Sequence, residues 1–307
     1  MSMGKPISII FAGTPEFACR ALEALIEDKR FSIDMVITQP DKPVGRNLKT
    51  TSCPVKQVAT KNNILVQQPE KIASIKDKIE SIKPDFIVVI AYGQILPQDI
   101  LSIPRHGSVN VHGSILPKYR GASPIQEALR NGDSETGVSL QLMNKFLDQG
   151  DILEQFKLSI KDSDNYLLLS EKLSKLTAEK LPSVLVDFFE QKITTMKQDN
   201  SSATYCKKIS KEDGLLDFNL EDAVSLVNKV RAFTPWPSCY TFLNKKRIKI
   251  VSATHSEQKI NTGEWALTSP KQLGIGTKKG AFIPLILQPE GKKPMSAEEF
   301  VRGYFKG

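Results

Sequence analysis

Apolar positions along the chain change their period several times, and each change predicts an element. Residues 7–12 form a continuous apolar run that ends at Gly13-Thr14-Pro15. Ala18, Ala21, Leu22 and Leu25 then recur at helical spacing, so the opening reads as strand, tight turn and helix. Residues 32–38 predict a second strand, 55–60 a helix, and Leu65 with Val66 a short strand. Residues 69–82 carry Ile72, Ile75, Ile79 and Ile82 on one side and read as a single amphipathic helix. Residues 85–91 are mostly apolar, which predicts a buried strand. In residues 108–112 the period is two: Val109 and Val111 alternate with Asn110 and His112, so the amide and the imidazole share a face. Residues 138–143 and 152–160 predict a hairpin with Asp148 in its connecting loop.

A long helical pattern follows through Leu169, Leu173, Leu176, Leu181, Val184, Leu185 and Phe188. Strands alternating with helices predict an α/β domain over residues 1–190. The polar run Q-D-N-S-S-A-T at 198–204 has the composition of a flexible linker, which sets a boundary at 191–207 and a second domain at 208–307. There Asn219 is expected to cap a helix through Val224, Val227 and Val230, ended by F-T-P-W-P-S. Short strands at 240–243, 247–253, 264–268 and 281–287, separated by N-K-K, N-T-G and T-K-K-G turns, suggest a small β-barrel of the oligonucleotide-binding type. Trp236 reads as a packed core aromatic.

Composition narrows the class. The longest apolar run, residues 86–92, is far shorter than the ~20 residues of a spanning helix, so no membrane location is expected. Four scattered cysteines without C-x-x-C spacing give neither a disulfide framework nor a zinc knuckle, and a reducing cytoplasm fits them. The net charge is +8, but residues 207–307 hold 17 basic and 10 acidic side chains, so +7 of it belongs to the last third. Two basic clusters are candidates for phosphate contact. One is the loop with Lys42, Arg46, Lys49 and Lys56; the other is the turn with Lys245, Lys246, Arg247 and Lys249. A solvated loop and a solvated hairpin tip have the same composition.

Asn110, His112 and Asp148 each have a local explanation when taken singly, as turn formers or a satisfied strand-end histidine. Together they supply what acyl transfer between nitrogens needs: a donor to a developing oxyanion, a group that manages protons, and a carboxylate that orients it. Competing chemistries lack their residues. Ser114 is not in a G-x-S-x-G setting, no H-E-x-x-H or Walker loop is present, and Gly13 alone is a poor match to G-x-G-x-x-G.

The stretches N-V-H-G-S-I-L-P-K-Y-R-G-A-S-P-I-Q and L-D-Q-G-D-I-L resemble the signature of folate-dependent formyltransferases. The likeness extends to F-A-G-T-P-E-F-A, Q-P-D-K-P-V-G-R, C-P-V-K and F-T-P-W-P-S, and so covers nearly the whole chain. It implies a Rossmann-like, mostly parallel sheet in the first domain, 10-formyltetrahydrofolate as formyl donor without a metal, and methionyl-initiator tRNA as acceptor. Asn110, His112 and Asp148 match the catalytic positions. In this reading Asn110 and His112 stabilise the oxyanion, while Asp148 orients the imidazole and assists proton transfer. Folate is expected along Ile90, Ala91, Tyr92, Gly93, Gln94, Ile95, Leu96, Ser114, Leu116 and Pro117, and tRNA at Lys42, Arg46, Lys49, Lys245, Lys246 and Arg247. A monomer is expected. Two departures stand out: Lys42 replaces the usual arginine, keeping charge without the planar fork, and Asn144-Lys145-Phe146-Leu147 replaces a more glycine-containing turn. Formylation of a small amine, or RNA binding without catalysis, are the alternatives at this point.

Overall fold

The structure is a computed structural model that describes residues 5–44 and 49–305. Its residues group into two compact units. The first is Met1–Gly121, Thr136–Leu158 and Ser170–Tyr205; the second is Ala122–Glu135, Ser159–Leu169 and Cys206–Gly307. Residues 122–135 and 159–169, which precede the expected linker, group with the second unit, so the units are interleaved in sequence.

The first unit is built on strands β1 (Ile7–Gly13), β2 (Phe31–Ile37), β3 (Lys42–Val44), β4 (Lys49–Thr51), β5 (Val66–Gln67), β6 (Phe86–Ile90), β7 (Ser108–His112), β8 (Arg120–Gly121), β9 (Glu135–Leu142) and β10 (Ile152–Ser159). Its helices are α1 (Cys19–Glu27), α2 (Pro54–Lys61), α3 (Lys76–Ile82) and α4 (Gln98–Leu101). Seven strands form one sheet in the order β10-β9-β7-β6-β1-β2-β5. The β7-β6-β1-β2-β5 portion is parallel, and β9 runs antiparallel to β7. From β1 the chain builds outward through β2 and β5, then returns to build β6 and β7 on the other side. The order therefore reverses between β1 and β6, and ligands of open α/β sheets collect beyond the strand ends at such a point.

The strands at the centre of the sheet are mostly apolar, with Ser8 on β1 and Ser32 and Asp34 on β2 as exceptions. Ile10 and Ala12 of β1, Met35 and Ile37 of β2, and Ile87 and Val89 of β6 pack with Ile72, Ile79, Tyr92, Leu96, Ile100 and Leu101 over one face. Phe11 and Phe86 are buried as well, and Phe86 meets the ring of Phe188 near the end of α6 (Tyr166–Phe189). Where β1 turns into the first helix, a side chain on Gly13 would lie 2.8 Å from the Phe11 ring and 3.0 Å from the Ile90 carbonyl. Only glycine lets strand, turn and neighbouring strand come this close.

Several expectations are corrected here. Residues 69–82 are not one helix: a 3-10 turn at Ile72–Ile75 precedes α3. Gln94 is the reason, because its Oε1 accepts the Ile72 N–H at 2.9 Å and its Nε2 donates to the Pro69 carbonyl at 3.0 Å, taking those backbone groups out of helical pairing. The basic loop, expected to be irregular over much of its length, contains the antiparallel pair β3 and β4.

The second unit holds α5 (Pro124–Arg130), α7 (Ala223–Phe233), α8 (Ala297–Tyr304) and an antiparallel sheet consistent with the expected barrel. After β11 (Tyr205–Cys206), its strands are β12 (Cys239–Leu243), β13 (Lys246–Ser256), β14 (Trp265–Ser269), β15 (Gln272–Gly276), β16 (Ala281–Pro289) and β17 (Met295–Ser296). The path is β12-β13-β16-β15-β14, with β17 paired to β16. Strand β15, Q-L-G-I-G, has no strand signature in sequence because two of its five positions are glycine. A side chain on Gly276 would stand 2.0 Å from the Asn261 carbonyl, so the strand is glycine-rich for close packing. Helix α7 is capped by Asp222, whose carboxylate accepts the Ser225 N–H at 2.7 Å, and not by Asn219. Trp236 is 51% exposed and so is not a core aromatic.

Among the described residues no helix is long and apolar enough to cross a membrane, and no group of three or more His, Cys, Asp and Glu is placed to hold a metal ion.

Candidate active site

The adjacent strands β7 and β9 set the site. Their register places Asn110 opposite Gln141 and His112 opposite Ser139, so Asn110, His112 and Gln141 project from the same face. The loop between β9 and β10 brings Asp148 over them with φ of 52°, a left-handed backbone that aspartate tolerates better than most residues. Oδ1 of Asp148 accepts from Gln141 Nε2 at 3.1 Å and Asn110 Nδ2 at 3.4 Å, and lies 3.7 Å from His112 Nδ1. Oδ2 accepts the backbone N–H of Gly121 at 2.8 Å. The three residues singled out from sequence therefore converge on one carboxylate.

The closest partner of the imidazole is not Asp148. His112 Nε2 lies 2.8 Å from the Tyr119 carbonyl, and a carbonyl can only accept, so Nε2 carries a proton and donates it. Nδ1 is thereby the nitrogen turned towards Asp148. Tyr119 itself has φ of 59°, and its N–H donates to Thr204 Oγ1 at 2.9 Å. The site includes groups that the sequence reading missed: Tyr119, Gly121, Gln141 and Gln198. Gln141 left a signal, an amide set between Leu140 and Leu142 two residues after Ser139, so that a polar face alternates with an apolar one. Gln198 and Thr204 left none, since they lie in the run read as a flexible linker.

Residues 5–185 match the family model described as formyl transferase, and residues 208–304 match that of the formyl transferase C-terminal domain. The chain belongs to the formyl transferase family. Among its relatives is the methionyl-tRNA formyltransferase of Thermodesulfovibrio yellowstonii, 43% identical over 297 residues, which cover 96% of this chain and 95% of that one. The methionyl-tRNA formyltransferase of Listeria monocytogenes serotype 4a is 41% identical over 299 residues, with 96% and 95% covered. A sugar 3N-formyl transferase solved in the presence of dTDP and 5-N-formyl-THF superposes with a TM-score of 0.68, covering 94% of this chain and 100% of that one. At 20% identity this likeness speaks to the fold alone.

In this formyl transferase the stretch expected to hold folate divides by exposure. Ala91, Gly93 and Ile95 face outward, Ile95 being 86% exposed, whereas Ile90, Tyr92 and Leu96 are buried in the core and Gln94 ties the loop to residues 69–72. The Tyr92 hydroxyl is buried without a hydrogen-bond partner among the described residues, and burial pushes its pKa up to about 12. Ser114, Leu116 and Pro117 shape the loop that delivers Tyr119. Ser114 Oγ donates to the Lys118 carbonyl at 2.6 Å, the Leu116 N–H donates to Ser139 Oγ at 2.9 Å, and the Leu116–Pro117 bond is cis.

Of the expected tRNA contacts, Arg46 lies outside the described residues. Lys42 is exposed on β3 and Lys49 is on β4. Lys56 is committed elsewhere: its ammonium pairs with Asp41 at 2.5 Å and donates to Gln68 Oε1 at 2.6 Å. Lys245, Lys246 and Arg247 are exposed at the β12–β13 turn, and the Arg247 guanidinium lies 3.8 Å from the centroid of the Tyr240 ring.

Proposed function

We propose that the chain transfers the formyl group of 10-formyltetrahydrofolate to the α-amino group of methionyl-tRNA, giving N-formylmethionyl-tRNA for translation initiation. The observation that carries this reading is identity of 38–43% over almost the full chain with proteins named for that activity. The convergence of Asn110, His112 and Asp148 supports it.

The residues present suit a folate. Ile95 offers an exposed apolar surface, and Ala91 and Gly93 are exposed with φ of 48° and 89°, which leaves their backbone open beside the ends of β6 and β7. A flat heterocycle asks for apolar walls with a few backbone donors and acceptors. When bound, 10-formyltetrahydrofolate supplies an electrophilic formyl carbonyl on a nitrogen that can leave. The protein's part is then to hold charge and protons around that carbonyl. The Asn110 amide donates to the formyl oxygen as negative charge develops there. His112, fixed through Nε2 by the Tyr119 carbonyl, presents Nδ1 as the site of a proton held against Asp148. Asp148 orients that nitrogen and assists the proton's passage from the attacking amine towards the departing nitrogen. One donor to a developing oxyanion typically lowers the barrier by ~3 to 4 kcal/mol.

Lys42, Arg46 and Lys49 of the first unit and Lys245, Lys246 and Arg247 of the second contact the tRNA backbone in this reading, and the protein acts as a cytoplasmic monomer. The test is incubation of purified protein with 10-formyltetrahydrofolate and either methionyl-tRNA or free small amines. Formylation of methionyl-tRNA is expected; formylation confined to small amines rejects the proposal.

A further inference from the structure

Arg120 is 1% exposed and pairs with no carboxylate among the described residues. The hydrogen bonds of its guanidinium go to neutral oxygens. Nε and Nη2 donate to Gln198 Oε1 at 3.1 and 2.7 Å, Nη2 also to Asn200 Oδ1 at 2.8 Å, and Nη1 to the Tyr205 hydroxyl at 3.4 Å. A buried cation without a counter-charge is costly even when hydrogen-bonded and, as here, 6.0 Å from the centroid of an aromatic ring, that of Tyr205. The polarity of its neighbours gives a reason for it.

A guanidinium has donors and no acceptor, so an amide facing it must turn its oxygen inward. Gln198 does so, which directs its Nε2 outward to three acceptors: the Asp148 carbonyl at 2.9 Å, the Gly150 carbonyl at 2.7 Å and Gln141 Oε1 at 3.3 Å. Gln141 is oriented in turn. Its oxygen accepts from Gln198 and from the Gly150 N–H at 3.1 Å, leaving its Nε2 to donate to Asp148 Oδ1 at 3.1 Å. Reversing either amide sets donors against donors and acceptors against acceptors. Because arginine does not lose its proton in proteins, this direction is the same at every working pH.

We propose that Arg120 is a positioning residue for the transfer, dictating through the amides of Gln198 and Gln141 that a donor, and not an acceptor, meets the Asp148 carboxylate. The proposal rests on the functional reading above only in taking Asp148 as the group served. The decisive variant is Gln198→Glu. A carboxylate there still accepts from Arg120 but has no hydrogen for the Asp148 and Gly150 carbonyls. Misplacement of a reacting group by about 1 Å costs roughly a hundredfold in rate, so kcat is expected to fall by about that factor while KM for both substrates stays within about twofold. A kcat within about threefold of wild type overturns the proposal, as does a loss of kcat matched by KM values that rise by the same factor. Should Gln198→Glu fail to fold, Arg120→Lys is compared with Arg120→Met. Lysine, still a donor, retains kcat within about tenfold and methionine does not; equal kcat in the two overturns the relay. A wild-type protein that formylates no acceptor overturns the functional reading instead. The relay is then judged from the crystal structure of Gln198→Glu, where a displaced Asp148 carboxylate supports it and an unmoved one rejects it.

Discussion

Replacing Asp148 by asparagine leaves the side chain's size unchanged, yet the site has no place for the new amide. In the native arrangement both carboxylate oxygens face donors: Gly121 N–H at one, and the side-chain amides of Gln141 and Asn110 at the other. An asparagine has one oxygen and one NH2 group. With its nitrogen at the Oδ2 position it meets the Gly121 N–H; with its nitrogen at the Oδ1 position it meets two amide nitrogens and faces His112 Nδ1. At least one donor is stranded either way, at a cost of about 1–3 kcal/mol for a buried group. A domain of this size shifts its Tm by about 2–4 °C per kcal/mol, so a fall of roughly 2–12 °C is expected in differential scanning calorimetry. The effect on turnover is larger. The equivalent change of an orienting carboxylate beside a histidine drops kcat about 10⁴-fold in a serine protease, and a loss of at least about a hundredfold is expected here. The assay is initial-rate formylation of methionyl-tRNA at saturating donor. An Asp148→Asn protein that keeps both its Tm and a kcat within about threefold of wild type would show that the carboxylate's convergent donors are incidental.

Gly150→Ala is expected to lose stability at or beyond the upper end of the ~1–3 kcal/mol typical of overpacking, read by urea unfolding, because the new Cβ would sit 1.6 Å from the Leu142 carbonyl oxygen; wild-type stability would mean that the hairpin shifts freely. Asp213 is held at about 2 by its hydrogen bond to Lys207 and then by the Ser210 N–H. A depressed carboxylate contributes stability above its unfolded value near 4 and loses it as pH falls towards about 2, so Asp213→Asn should flatten the Tm profile in that window. The effect is modest because Lys207 is 74% exposed, and a profile unchanged by the substitution rejects the assignment. Replacing Lys245, Lys246 and Arg247 together by glutamine should weaken tRNA binding and make log affinity against log salt shallower by about 0.7–0.9 for each phosphate these side chains neutralise; an unchanged slope in filter binding places the phosphates elsewhere.

The apolar strands and the convergence of Asn110, His112 and Asp148 were legible because they follow from period. A period of two puts residues 110 and 112 on one face, and a hairpin returns residue 148 to it. What was not legible depends on single side chains acting on distant backbone. Gln94 breaks an expected helix by taking two backbone groups of residues 69–72, and no local pattern in that helix announces it. Strand β15 was hidden by glycines that exist for close approach. Residues 198–204 are polar like any linker, yet Gln198 and Thr204 spend that polarity on the Asp148 carbonyl and the Tyr119 N–H. Composition reports that a segment is hydrophilic, not whether its hydrogen bonds go to water.

The same segment explains how the site holds its backbone conformations. Tyr119 and Asp148 are non-glycine residues with φ of 59° and 52°, each costing about 1–3 kcal/mol relative to a relaxed backbone. Each is fixed from two sides. Tyr119 is held by its N–H to Thr204 and its carbonyl to His112; Asp148 is held by its carbonyl from Gln198 and its carboxylate from Gly121, Gln141 and Asn110. Glycine at either position would relieve the strain, but at 148 it would delete the carboxylate and at 119 it would free the carbonyl that fixes the imidazole. The strain is therefore tied to the two functions the site needs from these residues: a carboxylate on a turn tight enough to reach back over β7, and a carbonyl aimed at His112 Nε2. A segment that looks like a tether is what keeps both in place, so the constellation proposed to be catalytic is a property of three separated stretches of chain, residues 110–121, 141–150 and 198–204, and not of the signature motifs alone.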